Sequence, residues 1–492
     1  MSSDSVAQVA NTKNASGSLR RNALGLFGAM ILGVVIMAPS LAIYTNWGFM
    51  IPHVGRATSF VFVISMVMAL PTAYSYSVLS GRMPAAGSAY KWTSHLIGPK
   101  LGIFIGLCAS LYYASIIPYD MPAIALLGSD LVRSTSPVVF GIFLFGSLAL
   151  ALPIVLRGIS VSIETSYILV GLEVLILTVI AVVCWFSATG HQASLAPLNP
   201  AQIPSVSALV PALVLGVLSF TGFDAISTVA EETRTPRRLI PRATILATVL
   251  VGVFWIVMSL ILSDALPPSV YNAVIAKGGF PLAAAASAAF GSAGRDIIDI
   301  MGLEASFGLL IAAAVGSTRI LFAMGRDGVL DRRLGQVHPK FKVPWYGIGV
   351  LSGFAVIAVI LVSFFQGLNY NVALWLSNMI VFFALVTYLA INFCNPIYFR
   401  RYARSEFNWF RNGVIPAFGV IITVYFFYKG FFQGLWDAGF KNGRLVVLVA
   451  VIVLALAAVA AVLIGRRREA AEAAAAYVPE AETAKPAEGS AG

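Results

Sequence analysis

Twelve apolar stretches, each about long enough to cross a bilayer as a helix, constrain this fold more than any other feature. A membrane-spanning helix needs roughly 20 predominantly apolar residues. The chain is 59% hydrophobic and only 11% charged over 492 residues, unlike a soluble domain. The sequence therefore predicts an all-α polytopic membrane protein with about 12 transmembrane helices. We place these spans at residues 23–45, 57–79, 101–127, 137–156, 164–187, 207–229, 240–263, 296–324, 346–365, 372–396, 412–431 and 444–465.

The positive charge of the chain indicates how these spans are oriented. The formal net charge is +11, and with the N-terminus inside, about 25 of the 32 Lys and Arg fall on the cytoplasmic side. This bias predicts a multi-pass plasma-membrane protein with both termini cytoplasmic. It also accounts for the basic excess without a nucleic-acid partner, since neither a basic face nor a recognition module is visible.

The regions outside the spans are short. Residues 1–19 and the Ala/Glu/Pro-rich residues 469–492 are predicted to be disordered and cytoplasmic. The four His lack the spacing of metal ligands, and the sequence has no Gly-Lys dipeptide, HExxH or GxSxG motif. We therefore predict a protein that is not an enzyme, with no catalytic residue, metal site or cofactor.

The sixth span carries the strongest functional signal. Its apolar helix is interrupted by Thr-Gly-Phe-Asp, and both irregular backbone and a carboxylate are costly at membrane depth. A helix broken there presents carbonyl oxygens from its first half and N–H groups from its second half. We therefore predict substrate contacts from Phe220, Thr221, Gly222, Phe223 and Asp224. A glycine packing contact with Asp224 facing water is the alternative.

The first span shows a weaker version of the same pattern. Gly33 and Pro39 bracket residues 34–38, and proline disturbs a helix because it lacks an N–H. An ordinary proline kink is the alternative to functional unwinding. The predicted substrate contacts outside span 6 are Leu32, Gly33, Val34, Met37, Ala38 and, on span 3, Tyr112.

Two carboxylates within spans are candidates for coupling to protons. Glu173 lies midway along span 5 with no Lys or Arg within several turns, and Glu304 lies nearer the start of span 8. Burial without a cation favours the neutral carboxylic acid. A structural hydrogen bond to a neighbouring helix is the alternative role for each of them.

Three motifs resemble the amino acid–polyamine–organocation permeases over residues 20–465. Span 6 gives SFTGFD, followed by EETRTPRR at residues 231–238 and IPRA at residues 240–243. The loop after span 2 gives GRMPAAGSAY at residues 81–90 and then Gly98-Pro99. RILFAMGRDG at residues 319–328 and HPKF at residues 338–341 follow span 8.

The resemblance implies a leucine-transporter-like fold. Residues 20–187 and 207–396 would form two inverted five-helix repeats, and residues 412–465 would add two helices. Transport would proceed by alternating access around a site between the broken spans 1 and 6, where backbone groups hold the substrate. The motif loops would form a cytoplasmic gate with Gly87, Glu231, Glu232 and Arg237, in which arginines pair with the two glutamates.

Two departures from the family pattern bear on the substrate and the coupling ion. Members often have Gly-Ser-Gly or Gly-Thr-Gly where this chain has residues 32–34, which brings it nearer to the putrescine and GABA permeases. Some members have Lys where this chain has Glu173. The expected function is secondary transport of an amino acid or related amine, with H⁺ as the expected coupling ion. A polyamine or organocation importer and an exchanger remain open, whereas an ion channel is remote because no filter loop is visible.

Overall fold

Twelve membrane-spanning helices make up the computed structural model, which describes residues 19–187, 194–276, 280–368, 371–435 and 443–476. Within those ranges the predicted class, an all-α polytopic membrane protein of about 12 helices, is confirmed. Spans 1 to 12 are Leu26–Val54, Thr58–Arg82, Pro99–Leu131, Pro137–Leu156, Val161–Phe186, Ala208–Glu232, Pro236–Ala265, Ala293–Arg326, Trp345–Gln366, Trp375–Tyr402, Trp409–Gln433 and Gly443–Glu469.

Burial separates the central spans from the peripheral ones. In spans 1, 3 and 8, 78% of the most apolar window is buried, against 22% in span 12 and 28% in spans 4, 5 and 9. Large apolar side chains such as Phe186, Ile168 and Phe364 are exposed on the peripheral spans. They fit contact with lipid, since a helix satisfies its own backbone polar groups. Spans 1, 3 and 8 therefore form the centre of the molecule.

Some boundaries differ from the sequence predictions. Span 1 continues to Val54, past the predicted end at residue 45, through a π-helix at Ala42–Trp47 and a helix at Gly48–Val54. The last helix runs over Gly443–Ala476, so the tail predicted to be disordered from residue 469 begins as helix. Residues 1–18 and 477–492 lie outside the described residues. The two repeats at residues 20–187 and 207–396 and the additional pair at residues 412–465 remain predictions.

Span 1 is broken at Ala38. The helix Leu26–Met37 ends there because Ala38 adopts the left-handed conformation, with φ 46° and ψ 74°. Its N–H bonds to the carbonyl oxygens of Val34 and Val35, which closes the helix end, and Pro39 has no N–H with which to continue it. Trp255 of span 7 donates to the Pro39 carbonyl oxygen at 2.9 Å. The break is therefore fixed by the backbone and by a neighbouring span.

Span 6 is broken at Gly222. Its first half ends at Ser219, Gly222 has φ 119°, and a 3-10 helix follows over Phe223–Glu232. Only glycine adopts this φ without strain. A Cβ atom on Gly222 would lie 2.6 Å from Cγ2 of Ile36, and one on Gly33 would lie 2.6 Å from Cδ1 of Ile226. The two broken spans therefore cross at a contact that requires glycine on both sides.

Candidate functional site

A cavity of about 190 Å³ lies beside the two breaks, between spans 1, 3, 6, 8 and 10. Its lining is mainly apolar, with a few hydroxyl and amide groups, and among the described residues that form it none is Asp, Glu, Lys or Arg. Asn46 donates to the Ser219 hydroxyl at 2.8 Å and so links the two broken spans across the cavity. The lining residues are Ile36, Met37, Ala38, Leu41, Ala42, Thr45, Asn46, Phe49, Tyr112, Ile116, Tyr119, Leu215, Leu218, Ser219, Thr221, Leu309, Ser377 and Ile380.

Asp224 lies next to this cavity, and three tyrosines hold its carboxylate. Tyr113 donates to Oδ2, Tyr388 donates to Oδ1 at 2.7 Å, and Tyr112 donates to Oδ1 at 3.4 Å. The Gly222 N–H points to the Tyr388 hydroxyl at 3.4 Å. Asp224 is 3% exposed and does not itself line the cavity, whereas Tyr112 does. One phenol therefore connects the cavity to the carboxylate.

The predicted substrate contacts occupy different places around the breaks. Met37, Ala38, Tyr112 and Thr221 line the cavity. Span 6 also borders a second, mostly apolar cavity of about 550 Å³, which lies between spans 2, 6, 10 and 11. Thr221 lines this cavity too, together with Phe220 and Phe223.

The other predicted contacts in span 1 lie away from both cavities. The helix is unbroken through Leu32, Gly33 and Val34, and all three are buried in it. Gly33 lies against the side chain of Ile226 in span 6, which leaves no room for a Cβ atom at this position. The break at Ala38 therefore falls at the proline end of the predicted segment and not at the glycine.

Glu173 lies beside the break of span 1. It is 2% exposed and accepts a hydrogen bond from the Ser40 hydroxyl, two residues after Ala38. Glu304 of span 8 is 7% exposed, and neither of its carboxyl oxygens has a hydrogen-bond partner among the described residues. The two predicted coupling residues therefore differ in their partners.

Two ion pairs tie the end of span 6 to span 8. Arg319 donates to Glu232 at 3.0 and 3.3 Å, and these side chains are 1% and 0% exposed. Arg326 donates to both oxygens of Glu231 at 2.8 Å, and the Ala86 N–H donates to one of them at 3.1 Å. Bidentate pairs of this kind are strong and directional. We call this side of the molecule the terminal face, because span 1 begins here.

The backbone also joins the two broken spans at the terminal face. The Leu24 N–H donates to the Glu232 carbonyl oxygen at 3.0 Å, and the Arg234 backbone N–H donates to the Leu24 carbonyl oxygen at 2.8 Å. Gly87 packs closely here, since a Cβ atom on it would lie 3.0 Å from Cβ of Ala323 in span 8. Arg237 lies exposed at the start of span 7. The predicted gate glutamates thus contact arginines of span 8.

Sequence reasoning missed several of these partners. Arg319 carried a signal, because an arginine inside an apolar span usually has a structural or functional partner. Nothing in the sequence indicated that Tyr388 would contact Asp224, since the two are 164 residues apart and aromatic residues are common in membrane helices. Ser40 likewise gave no indication that it would bond to Glu173, 133 residues away.

Comparison with known proteins agrees with this architecture. Residues 23–457 match the family model described as amino acid permease. A low-affinity putrescine importer of Escherichia coli (strain K12) is 27% identical over 388 residues, which cover 77% of this chain and 82% of the importer.

Relatives with other substrates match as well. A branched-chain amino acid permease of Bacillus subtilis (strain 168) is 27% identical over 347 residues, 67% of this chain and 72% of that permease. A methylthioribose transporter of the same organism is 26% identical over 317 residues, 59% of this chain and 64% of that transporter. The family model covers most of the chain, and the permease role shared by these relatives agrees with a cavity between two broken spans. The chain therefore belongs to the amino acid permease family and is a membrane transporter.

Proposed function

We propose that this permease carries a small amino acid with an apolar side chain. The observation that supports this most directly is the lining of the cavity beside the breaks, which is apolar and has no acidic or basic side chain among its described residues. An apolar side chain gains free energy on leaving water for such a surface. A charged side chain would lose its hydration without gaining a partner.

The broken end of span 1 would recognise the ammonium group of the amino acid. The helix Leu26–Met37 ends at the cavity with its carbonyl oxygens, which favour an ammonium group. Asp224 adds a negative charge behind Tyr112, so the ammonium group would bind on that side.

A diamine fits this arrangement less well. It carries two positive charges, and each needs an anionic or carbonyl partner when it leaves water. Asp224 already accepts hydrogen bonds from three tyrosines. The similarity to a putrescine importer nevertheless makes a diamine the comparison that any substrate test must include.

Alternating access would use the difference between the two sides of the breaks. The ion pairs Glu231–Arg326 and Glu232–Arg319 close the terminal face, while the cavity lies in the other half of the molecule. Release of substrate through the terminal face would require these pairs to separate. Glu173 would carry a proton as the coupling ion, since its carboxyl group bonds to Ser40 beside the break.

Purified protein in liposomes tests the substrate assignment. We expect saturable uptake of leucine-like amino acids, competed by each other, and at least tenfold weaker competition by putrescine and GABA. Liposomes without protein set the background. Uptake of putrescine in preference to leucine-like amino acids would overturn the proposed substrate while leaving the permease assignment intact.

The proposed orientation places the terminal face in the cytoplasm and the protein in the plasma membrane. The Lys and Arg distribution supports it. A cysteine introduced at Asn272, exposed in the helix Pro268–Ala276, should react with an impermeant thiol reagent added to intact cells. A cysteine at the exposed Arg333 should react only after the cells are opened, and the reverse pattern would invert the topology.

A further inference from the structure

Spans 5 and 8 bring two buried carboxyl groups together. A Cβ atom on Gly308 would lie 3.3 Å from Cδ1 of Leu169, so these two residues mark where the helices touch. The spans are antiparallel, because they are three crossings apart. Glu173 lies four residues after Leu169 in span 5, and Glu304 lies four residues before Gly308 in span 8. Because the two helices are antiparallel, both steps lead in the same direction across the membrane, so the two carboxyl groups lie at the same level on the facing sides of the helices.

The two carboxyl groups have complementary surroundings. Glu173 accepts a hydrogen bond from Ser40, beside the break of span 1. Glu304 is 7% exposed, and both of its carboxyl oxygens are without a hydrogen-bond partner among the described residues. A buried carboxyl group with no partner is expensive unless something binds to it. Because Glu304 faces Glu173, a proton shared between the two carboxyl groups would provide such a partner.

Other ionisable groups on the helices packed against spans 5 and 8 do not neutralise this pair. Among the described residues of those helices, the cations lie near helix ends or in ion pairs with other acids. The basic ones are Lys91, Lys100, Arg157, Arg237, Arg238, Arg242, Arg295, Arg319, Arg326, Arg332 and Arg333, and the acidic ones are Asp120, Asp130, Glu164, Asp224, Glu231, Glu232, Asp264, Asp296 and Asp299. The tyrosines are Tyr44, Tyr90, Tyr112, Tyr113, Tyr119, Tyr167 and Tyr346, and the histidines are His53, near the end of span 1, and His95, in the helix Ser88–Leu96.

We infer that Glu173 and Glu304 form one proton-carrying site, in which the two carboxyl groups share a single proton. Two facing carboxylates at this depth cannot both be charged without large repulsion and desolvation. A proton taken up from the side opposite the terminal face removes both costs. Its departure toward the terminal face would leave a charge on Glu173, and Ser40 would transmit the change to the break. This inference rests on the proposed proton-coupled transport.

Two single variants and their double variant test the shared site in liposomes. Glu304→Gln removes the like charge, so Glu173 releases its proton more readily and half-maximal uptake should move about one pH unit lower. Glu173→Gln leaves no carboxyl group bonded to Ser40, so it should lose accumulation driven by a pH gradient. Both should retain exchange of substrate at equal pH. The double variant should accumulate as much substrate in a pH gradient as Glu173→Gln, because both substitutions affect the same site and their effects should not add.

Asp120→Asn is the matched control. Asp120 is also fully buried with both oxygens unpartnered among the described residues, but it lies on span 3. It should keep the pH dependence of the unsubstituted protein. An unchanged pH dependence in Glu304→Gln, or an equal shift in Asp120→Asn, would overturn the shared site. Substrate accumulation driven by a Na⁺ gradient at constant pH would identify Na⁺ as the coupling ion and would also overturn the shared proton. Loss of exchange at equal pH in the unsubstituted protein would instead refute the transport assignment.

Discussion

The two broken spans reach similar shapes by different chemical means. Span 6 is interrupted at Gly222, whose φ of 119° is available to glycine alone, whereas span 1 is interrupted at Ala38, whose φ of 46° is unfavourable for alanine. Pro39 and the hydrogen bond from Trp255 to its carbonyl oxygen hold the break of span 1 in place. One break therefore follows from the residue itself and the other from its neighbours.

The breaks also differ in the carboxyl group beside them. Asp224 belongs to span 6, and tyrosines of spans 3 and 10 hold it with neutral hydroxyl donors. At span 1 the carboxyl group comes from span 5, where Ser40 donates to Glu173. A network of neutral donors can hold an anion through the transport cycle. A single serine bond to a carboxyl group that gains and loses a proton can form and break, which suits a moving element.

The largest effect is expected where the break depends on one residue. Gly222→Leu should abolish uptake, because a side chain there would meet Ile36 at 2.6 Å and would require an unfavourable φ. Uptake into liposomes measures this loss, and size-exclusion chromatography of the purified variant checks that it is folded.

Gly353→Leu is the control for this variant. Gly353 lies in span 9, is exposed, and has no atom within 4 Å of the position of a Cβ. It should transport normally. Full uptake by Gly222→Leu would show that transport does not need the crossing of the two spans.

The number and approximate position of the spans followed from the sequence, since twelve apolar stretches require no tertiary contact to recognise. Gly222 was also identifiable, because a Thr-Gly-Phe-Asp interruption of an apolar helix is costly in lipid. The break in span 1 was predicted only to within residues 34–38, and the sequence did not single out Ala38. Alanine is a good helix former, and its left-handed φ arises from Pro39 and span 7, which the local sequence does not contain.

A smaller effect is expected from the carboxylate of span 6. Asp224→Asn removes the charge that three tyrosines hold, and a hydrogen bond to a charged group contributes about 1.5–3 kcal/mol. Because Asp224 acts behind Tyr112, we expect the KM for substrates with an ammonium group to rise about tenfold, the equivalent of roughly 1.4 kcal/mol.

Tyr113→Phe sharpens this test, since it removes one donor and keeps the charge. Its KM should rise less than that of Asp224→Asn. An unchanged KM for every amine in Asp224→Asn would assign Asp224 to packing alone. The sequence identified Asp224 but not its partners, because Tyr113 and Tyr388 meet it only through the packing of spans 3, 6 and 10.

The smallest effect is expected at Ala38, and it tests the contrast between the breaks directly. Alanine in the left-handed region costs about 1–2 kcal/mol, which glycine avoids, while glycine loses roughly 0.5–1 kcal/mol of backbone entropy on folding. Ala38→Gly should therefore change the free energy of unfolding by less than about 1 kcal/mol and leave uptake intact. Gly222→Ala should be clearly destabilised, because its Cβ meets Ile36. Thermal unfolding in detergent compares the two variants. Equal destabilisation would mean that the Ala38 methyl group is required by packing, and that both breaks depend on the residue they contain.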